Sequence, residues 1–261
     1  MEELLPQEFE LERERAPIVY LPFAPVEYHG CHVSLNSDTA KGYEMCLRAA
    51  KIAGGVVHPL LPIAPSGNPL REREGIHEAM SGRQDPYLHP SVFISAGLCR
   101  KLLLEILDVF AEDLKFNVCV MCGSHGPAGA IAREIHQKSN GSHKGMKLIA
   151  AGSLSHNKDV VDAEYEKLGI PRVSHGGAWE TAMDYACGED FFCREMIDAP
   201  WPKCFKSIPD EHFEGNTLPT RSELRLVTAE FGERLIDIAA ERIAADALKA
   251  LEETGHAIVG N

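Results

Sequence analysis

The stretch Leu98-Cys-Arg-Lys-Leu-Leu-Leu-Glu-Ile-Leu-Asp-Val-Phe110, followed after a short polar break by Phe116-Asn-Val-Cys-Val-Met-Cys122, sets the class of fold. Across Pro90–Lys115 the apolar residues Val92, Leu98, Leu102, Leu103, Ile106, Leu107 and Phe110 recur at helical spacing, whereas 116–122 is a short apolar run of strand length. A helix that feeds straight into a buried strand is an α/β pattern. Working outward, further strand-like runs lie near Ile18–Phe23, Val56–Ile63 and Lys147–Ala151, with helical patterns between them. Ala128–Ser139 reads as the helix after the 116–122 strand, and Thr228–Glu253, rich in Ala, Glu and Arg, as a long amphipathic helix that closes the chain.

With 261 residues, 44% of them hydrophobic, the chain can bury a large core, and no internal repeat or low-complexity linker divides it. One domain over 1–261 is expected. The 26 basic and 39 acidic residues leave a net charge of −13, which disfavours nucleic acid and anionic membranes as partners. A small-molecule substrate is the expected partner. The acidic start Met-Glu-Glu-Leu-Leu-Pro-Gln-Glu-Phe-Glu lacks the basic and apolar segments of a secretory signal, and no run is long enough to span a bilayer. Cytoplasm is the expected compartment. The eight cysteines, at 31, 46, 99, 119, 122, 187, 193 and 204, are scattered through a chain too long to need a disulfide framework, so they read as reduced. Asn140-Gly-Ser142 matches a glycosylation sequon and, without secretion, reads as a turn.

In parallel α/β sheets, ligands gather beyond the carboxyl ends of the strands. Three polar clusters fall at such places: Glu27-Tyr-His29-Gly-Cys-His32-Val-Ser-Leu-Asn-Ser-Asp38, Gly123-Ser-His125-Gly126, and His175-Gly-Gly-Ala-Trp-Glu180 after Pro171-Arg-Val-Ser174. Residues two apart on an extended backbone point the same way, so Glu27 and His29 can leave a strand end together. Gly30 permits a turn, and Asp38 can return to the same point. Carboxylate, imidazole and second carboxylate form a mixed O/N donor set suited to Zn²⁺, Mn²⁺ or Fe²⁺. The bland reading of His29-x-x-His32 is a polar loop, and His32 can be a ligand, a substrate contact or a hydrogen-bond partner. His125, between small residues after a buried strand, is either a further ligand or a satisfied core histidine. His175 and Glu180 are placed to act as an acid/base histidine and its carboxylate, or as the neighbour of a helix cap and a first-turn acid.

These segments resemble the creatininase, or creatinine amidohydrolase, family. The family's Glu-x-His-Gly-x-His segment with a following Asp is matched by Glu27, His29, Gly30, His32 and Asp38; its Gly-His-Gly-like turn by Gly123-Ser124-His125-Gly126; and its His-Ala-Gly-x-x-Glu-Thr segment by His175 through Thr181. The resemblance implies a three-layer α/β/α fold with a mostly parallel central sheet, a homo-oligomer that is often a hexamer, and one or two divalent metals. It implies that Glu27, Asp38 and His125 hold a first metal and that His29 and Asp38 hold a second, with Asp38 bridging. His175 would transfer the proton and Glu180 would support it. Creatinine-opening members carry a glutamate two residues after the matched His125, where this chain has Pro127, and a tryptophan four residues before the matched His175, where it has Pro171. The second metal then lacks one ligand, a place that water, substrate or another carboxylate such as Glu180 can take, or else that site is weakly occupied, and a substrate other than creatinine is expected.

The chemistry that follows is attack of a metal-activated hydroxide on a carbonyl. The expected reaction cleaves the C–N bond of a cyclic amide, formamide or similar small amide; the alternatives are ring opening at a C–C bond of an oxidised cyclitol or sugar, and a non-catalytic metal-binding scaffold. Cys119-Val-Met-Cys122 offers a redox reading, set against burial in an apolar strand. The polar stretch Ser66–Pro90, with Leu70-Arg-Glu-Arg-Glu74, His77, Glu78, Arg83 and His89, reads as a long loop or lid, and Ala199–Pro219 as a second irregular stretch.

Overall fold

A computed structural model describes residues 1–66, 91–170, 175–199 and 219–256. The expected loops 66–90 and 199–219, and the strand expected at 171–174, therefore lie almost wholly outside the described residues, as does Cys204. Within them the chain runs α1 (Pro6–Arg15), β1 (Ile18–Phe23), α2 (Ser37–Ala53), β2 (Val56–Val57), α3 (Ala96–Asp108, prolonged by the π turn Val109–Asp113), β3 (Val118–Gly123) and α4 (Gly126–Lys138). It continues through β4 (Ser142–His143), β5 (Met146–Ala151), α5 (Lys158–Leu168), α6 (Ala178–Cys187), α7 (Glu195–Asp198), α8 (Arg221–Arg225) and α9 (Ala229–Glu252).

The strands form one sheet in the order β2-β1-β3-β5-β4. All neighbours are parallel except β4 and β5, which pair antiparallel at the edge. Every residue of β1 and β3 is buried, as a strand covered on both faces requires. Side-chain alternation divides them between two cores. Ile18, Tyr20, Val118, Val120 and Cys122 pack with Met45, Cys46 and Ala49 of α2, Met183 of α6, and Leu235, Ile236 and Ile243 of α9. Val19, Leu21, Phe23, Cys119 and Met121 pack on the other face with Cys99, Leu103 and Leu107 of α3 and Ile131, Ala132 and Ile135 of α4. The result is the three-layer α/β/α arrangement with a mostly parallel sheet.

The expected boundaries shift for identifiable reasons. The strand expected at Val56–Ile63 is regular only over Val56–Val57, with a bridge from Leu61 to Phe23, because Pro59 and Pro62 have no N–H to give to a ladder. The helix expected from Pro90 begins at Ala96, where the Ser95 hydroxyl caps it by accepting from the Leu98 N–H. Val92 bridges instead to Val26, and Val92 and Leu98 are exposed. The long last helix starts one residue late, with Thr228 capping it through the Phe231 N–H. Asn140 and Gly141 both take positive φ in the turn between α4 and β4, which agrees with the turn reading of that sequon.

Helices α6 and α9 touch backbone to backbone. A Cβ on Gly232 would fall 1.8 Å from the Ala182 carbonyl oxygen, so any side chain there drives the two helices apart. This contact fixes the first turn of α6, and with it Glu180, against the rest of the core. Cys119 and Cys122 are free thiols on opposite faces of β3 and fully buried, and burial pushes the Cys119 thiol pKa up. A redox pair would need a broken central strand. Among the described residues, no helix is long and apolar enough to cross a membrane.

Candidate metal centre

Parallel register places the ends of β1 and β3 side by side, with Phe23 opposite Gly123. The chain leaving β1 carries Glu27 and His29, and the chain leaving β3 carries His125 at the start of α4. Asp38 sits in the first turn of α2 and Glu180 in the first turn of α6, where the helix N-termini favour negative charge. Four elements thus aim acids and imidazoles at one point beyond the carboxyl edge of the sheet. Glu27, His29 and Asp38 are at most 3% exposed, His125 9% and Glu180 8%. So many ionisable groups are buried together only when they are paired or hold an ion.

His125 Nδ1 lies 2.8 Å from Glu27 Oε2 and 3.2 Å from Asp38 Oδ2. His29 Nε2 lies 3.3 Å from Asp38 Oδ1, 3.9 Å from Glu27 Oε2 and 3.9 Å from Glu180 Oε1. Glu27, Asp38 and His125 therefore form one set of three donor atoms within 4.8 Å of one another, and His29, Asp38 and Glu180 form a second. Asp38 belongs to both and turns a different oxygen to each. A third set joins Glu27, His29 and His175.

The outer edges of the imidazoles are anchored to backbone. His29 Nδ1 meets the Glu27 carbonyl at 3.1 Å and His125 Nε2 meets the Pro65 carbonyl at 3.2 Å. Since a carbonyl only accepts, each ring donates outward and turns its basic nitrogen toward the acids, the orientation that a metal-ligating histidine needs. His29 Nε2 and both Asp38 carboxylate oxygens are buried and approach their neighbours without the alignment of a hydrogen bond. Three inward-facing donors left unsatisfied in this way, all oxygen or imidazole nitrogen, fit a divalent cation of the Zn or Mn kind.

Burial disfavours the imidazolium form of His29, but Asp38, Glu180 and Glu27 outweigh it and hold its pKa up at about 9. Likewise, burial opposes the charge on His125 while Glu27 and Asp38 raise its pKa to about 10. Both pKa values lie above the unfolded value of 6.5. In chelator-treated protein their stabilising contribution is therefore full below about pH 6.5 and is lost as pH climbs through 9 to 10. A divalent ion in the Glu27, Asp38, His125 set must displace the His125 proton, so its apparent affinity is expected to rise with pH across the neutral range, by up to about tenfold per unit. Calorimetric titration in buffers of different ionisation heat counts the protons released; release of none would contradict this coupling.

His175 stacks on His29 with ring centroids 4.1 Å apart, and its Nε2 meets the Tyr28 carbonyl at 2.9 Å. That anchor makes Nε2 the donor and Nδ1 the basic nitrogen. Burial, aided by His29, lowers the His175 pKa, so its resting form is neutral. Glu180 holds the turn in place, with Oε2 accepting from the Gly176 N–H at 2.6 Å. Gly176 has φ +61°, and a Cβ there would come 2.2 Å from the His29 carbonyl oxygen. Only glycine allows the two histidine segments to approach this closely.

His32 belongs to no such donor set among the described residues. Its Nε2 meets Thr181 Oγ1 at 2.9 Å, and that hydroxyl donates to the Gly176 carbonyl at 3.0 Å. Burial, with His29 nearby, pushes the His32 pKa down to about 3. Of its three readings, the hydrogen-bond contact is the one seen among the described residues. Pro127 lies in the first turn of α4, and Pro171 lies outside the described residues.

Sequence reading missed Lys41, Ser37 and Asp184. Lys41 is fully buried and its Nζ donates to Ser37 Oγ at 2.8 Å; Ser37 Oγ in turn donates to Asp184 Oδ2 at 2.7 Å. The spacing of Ser37, Asp38 and Lys41 on α2, and of Glu180 and Asp184 on α6, was the available signal. Such i,i+3 and i,i+4 pairs are also what an exposed helix face carries, so they did not stand out.

The family model for creatininase, creatinine amidohydrolase, matches residues 2–247. The chain belongs to the creatininase family. Solved structures with the same fold include a creatinine amidohydrolase at 18% identity and TM-score 0.69, covering 98% of both chains. A mutant creatininase of Zn-Zn type matches at 19% identity and TM-score 0.70, and a manganese creatininase at 18% and 0.68, each with 98% of both chains covered. Among curated proteins there is no significant sequence match.

Proposed function

We propose that this protein is a divalent-metal-dependent hydrolase that cleaves a C–N bond in a cyclic amide, formamide or similar small amide. The observation that carries the reading is the convergence of Glu27 Oε2, Asp38 Oδ2 and His125 Nδ1 on one buried point. Those three residues would hold the ion, with His29 beside them. A bound divalent ion supplies an acidified water and polarises a carbonyl.

The remaining work falls to the chain. His175, neutral at rest and anchored through Nε2 on Tyr28, takes a proton at Nδ1 and passes it to the leaving nitrogen. His29, stacked beneath it, fixes the ring plane. Glu180 restrains the 175–176 turn through the Gly176 N–H, so the proton-transfer atom is positioned before substrate arrives. The relatives' metals, Zn and Mn, suit the same donors. Pro127 and Pro171 stand where creatinine-opening relatives carry glutamate and tryptophan, which weighs against creatinine itself.

The test is turnover of a panel of lactams, formamides, short peptides and oxo-cyclitols, before and after chelation and with Zn²⁺ or Mn²⁺ restored. Hydrolysis of an amide that chelation abolishes and metal restores is expected. Full activity in protein stripped of metal would sink the reading, and turnover of oxo-cyclitols alone would replace it with C–C ring opening.

A further inference from the structure

The second donor set already faces a cation. Lys41 Nζ lies 3.4 Å from Asp38 Oδ1 and 3.8 Å from Glu180 Oε1. Those two oxygens are the ones that approach His29 Nε2 in the His29, Asp38, Glu180 set. Asp38 Oδ2, by contrast, turns toward His125 and the first set. Lys41 has no exposure to solvent, and it is locked on its far side by Ser37 Oγ at 2.8 Å and Asp184 Oδ2 at 4.0 Å. Its ammonium is also 5.8 Å from the centre of the Trp179 ring. An ammonium with that many partners cannot swing away without leaving buried carboxylates exposed to one another.

We infer that the Lys41 ammonium serves as the built-in cation of the second cluster, so that each chain holds one divalent ion, in the Glu27, Asp38, His125 set. A second divalent ion would bind Asp38 Oδ1 and Glu180 Oε1 with Lys41 in contact with both oxygens, and in a buried site that repulsion is not screened. Lys41 is thus a positioning residue. It fixes Asp38 Oδ1 and Glu180 Oε1 in the places a second metal would otherwise give them. The inference rests on the proposed metal centre and adds its stoichiometry.

Chelator-treated protein is titrated with Mn²⁺ and with Zn²⁺, and bound metal per chain is measured by equilibrium dialysis with elemental analysis. Wild type is expected to bind one ion, and Lys41→Met two, with affinity for the second ion raised by at least about 100-fold. Because Lys41→Met strands Asp184, the double variant Lys41→Met/Asp184→Asn is measured beside it, with folding checked by circular dichroism; it too is expected to take a second ion. Two ions in wild type would overturn the inference, as would a single ion in a folded variant lacking Lys41. No ion in wild type would instead overturn the metal-centre reading beneath it.

Discussion

Replacing Asp38 with alanine is expected to lower divalent-ion affinity by at least about 10³-fold and to abolish turnover, while the chain stays folded. Asp38 is the one residue common to the two donor sets that contain it, and its oxygens are divided between them. Loss of a group that merely orients a ligand costs about 10- to 100-fold in metal affinity. Loss of a direct donor, in a site whose other two members are Glu27 and His125, costs more. The fold should tolerate the change because Lys41 keeps Glu180, Asp184 and Ser37 as partners, and α2 keeps Met45, Cys46 and Ala49 in the core. Elemental analysis and calorimetric titration measure the effect. A folded Asp38→Ala protein with unchanged metal content would show that the ion, if any, is held elsewhere.

The second large effect is expected at His175, and it separates chemistry from binding. Replacement with alanine should leave metal content unchanged and lower kcat by about 10²- to 10⁴-fold, the usual contribution of a positioned general acid. The geometry makes this a sharp test, because Glu27, His29 and His175 also form a donor set. If His175 were a ligand, its loss would remove metal along with rate. Metal measured on the same preparation as turnover decides between the two.

The parts of this site that could be read from sequence were those whose local chemistry is self-contained. Glu27, His29 and Asp38 lie within twelve residues after an apolar strand, and His125 follows another strand end. Strand periodicity and the rule that ligands gather at carboxyl edges were enough to place them together. Lys41 could not be read in this way, since nothing in its neighbours distinguishes a buried lysine from a solvated one. Its burial is set by α9 and α6 closing over α2, and α9 lies nearly two hundred residues further along the chain. Helix α1 was hidden by its charge, with no buried residue to give it an apolar face. The antiparallel edge β4–β5 was hidden because Ser142-His143 offers no alternation to read. The strand expected at 56–63 follows from its apolar content alone, whereas in the sheet the N–H groups missing at Pro59 and Pro62 decide the matter.

The most direct test of the central claim is the position of a bound ion. Crystals grown with Zn²⁺ or Mn²⁺ and measured at the metal's absorption edge should give one strong anomalous peak per chain, within bonding distance of Glu27, Asp38 and His125, roughly 2.0–2.2 Å for the zinc form. An anomalous map with no peak among those three residues, in crystals soaked to saturation with either metal, would contradict the account.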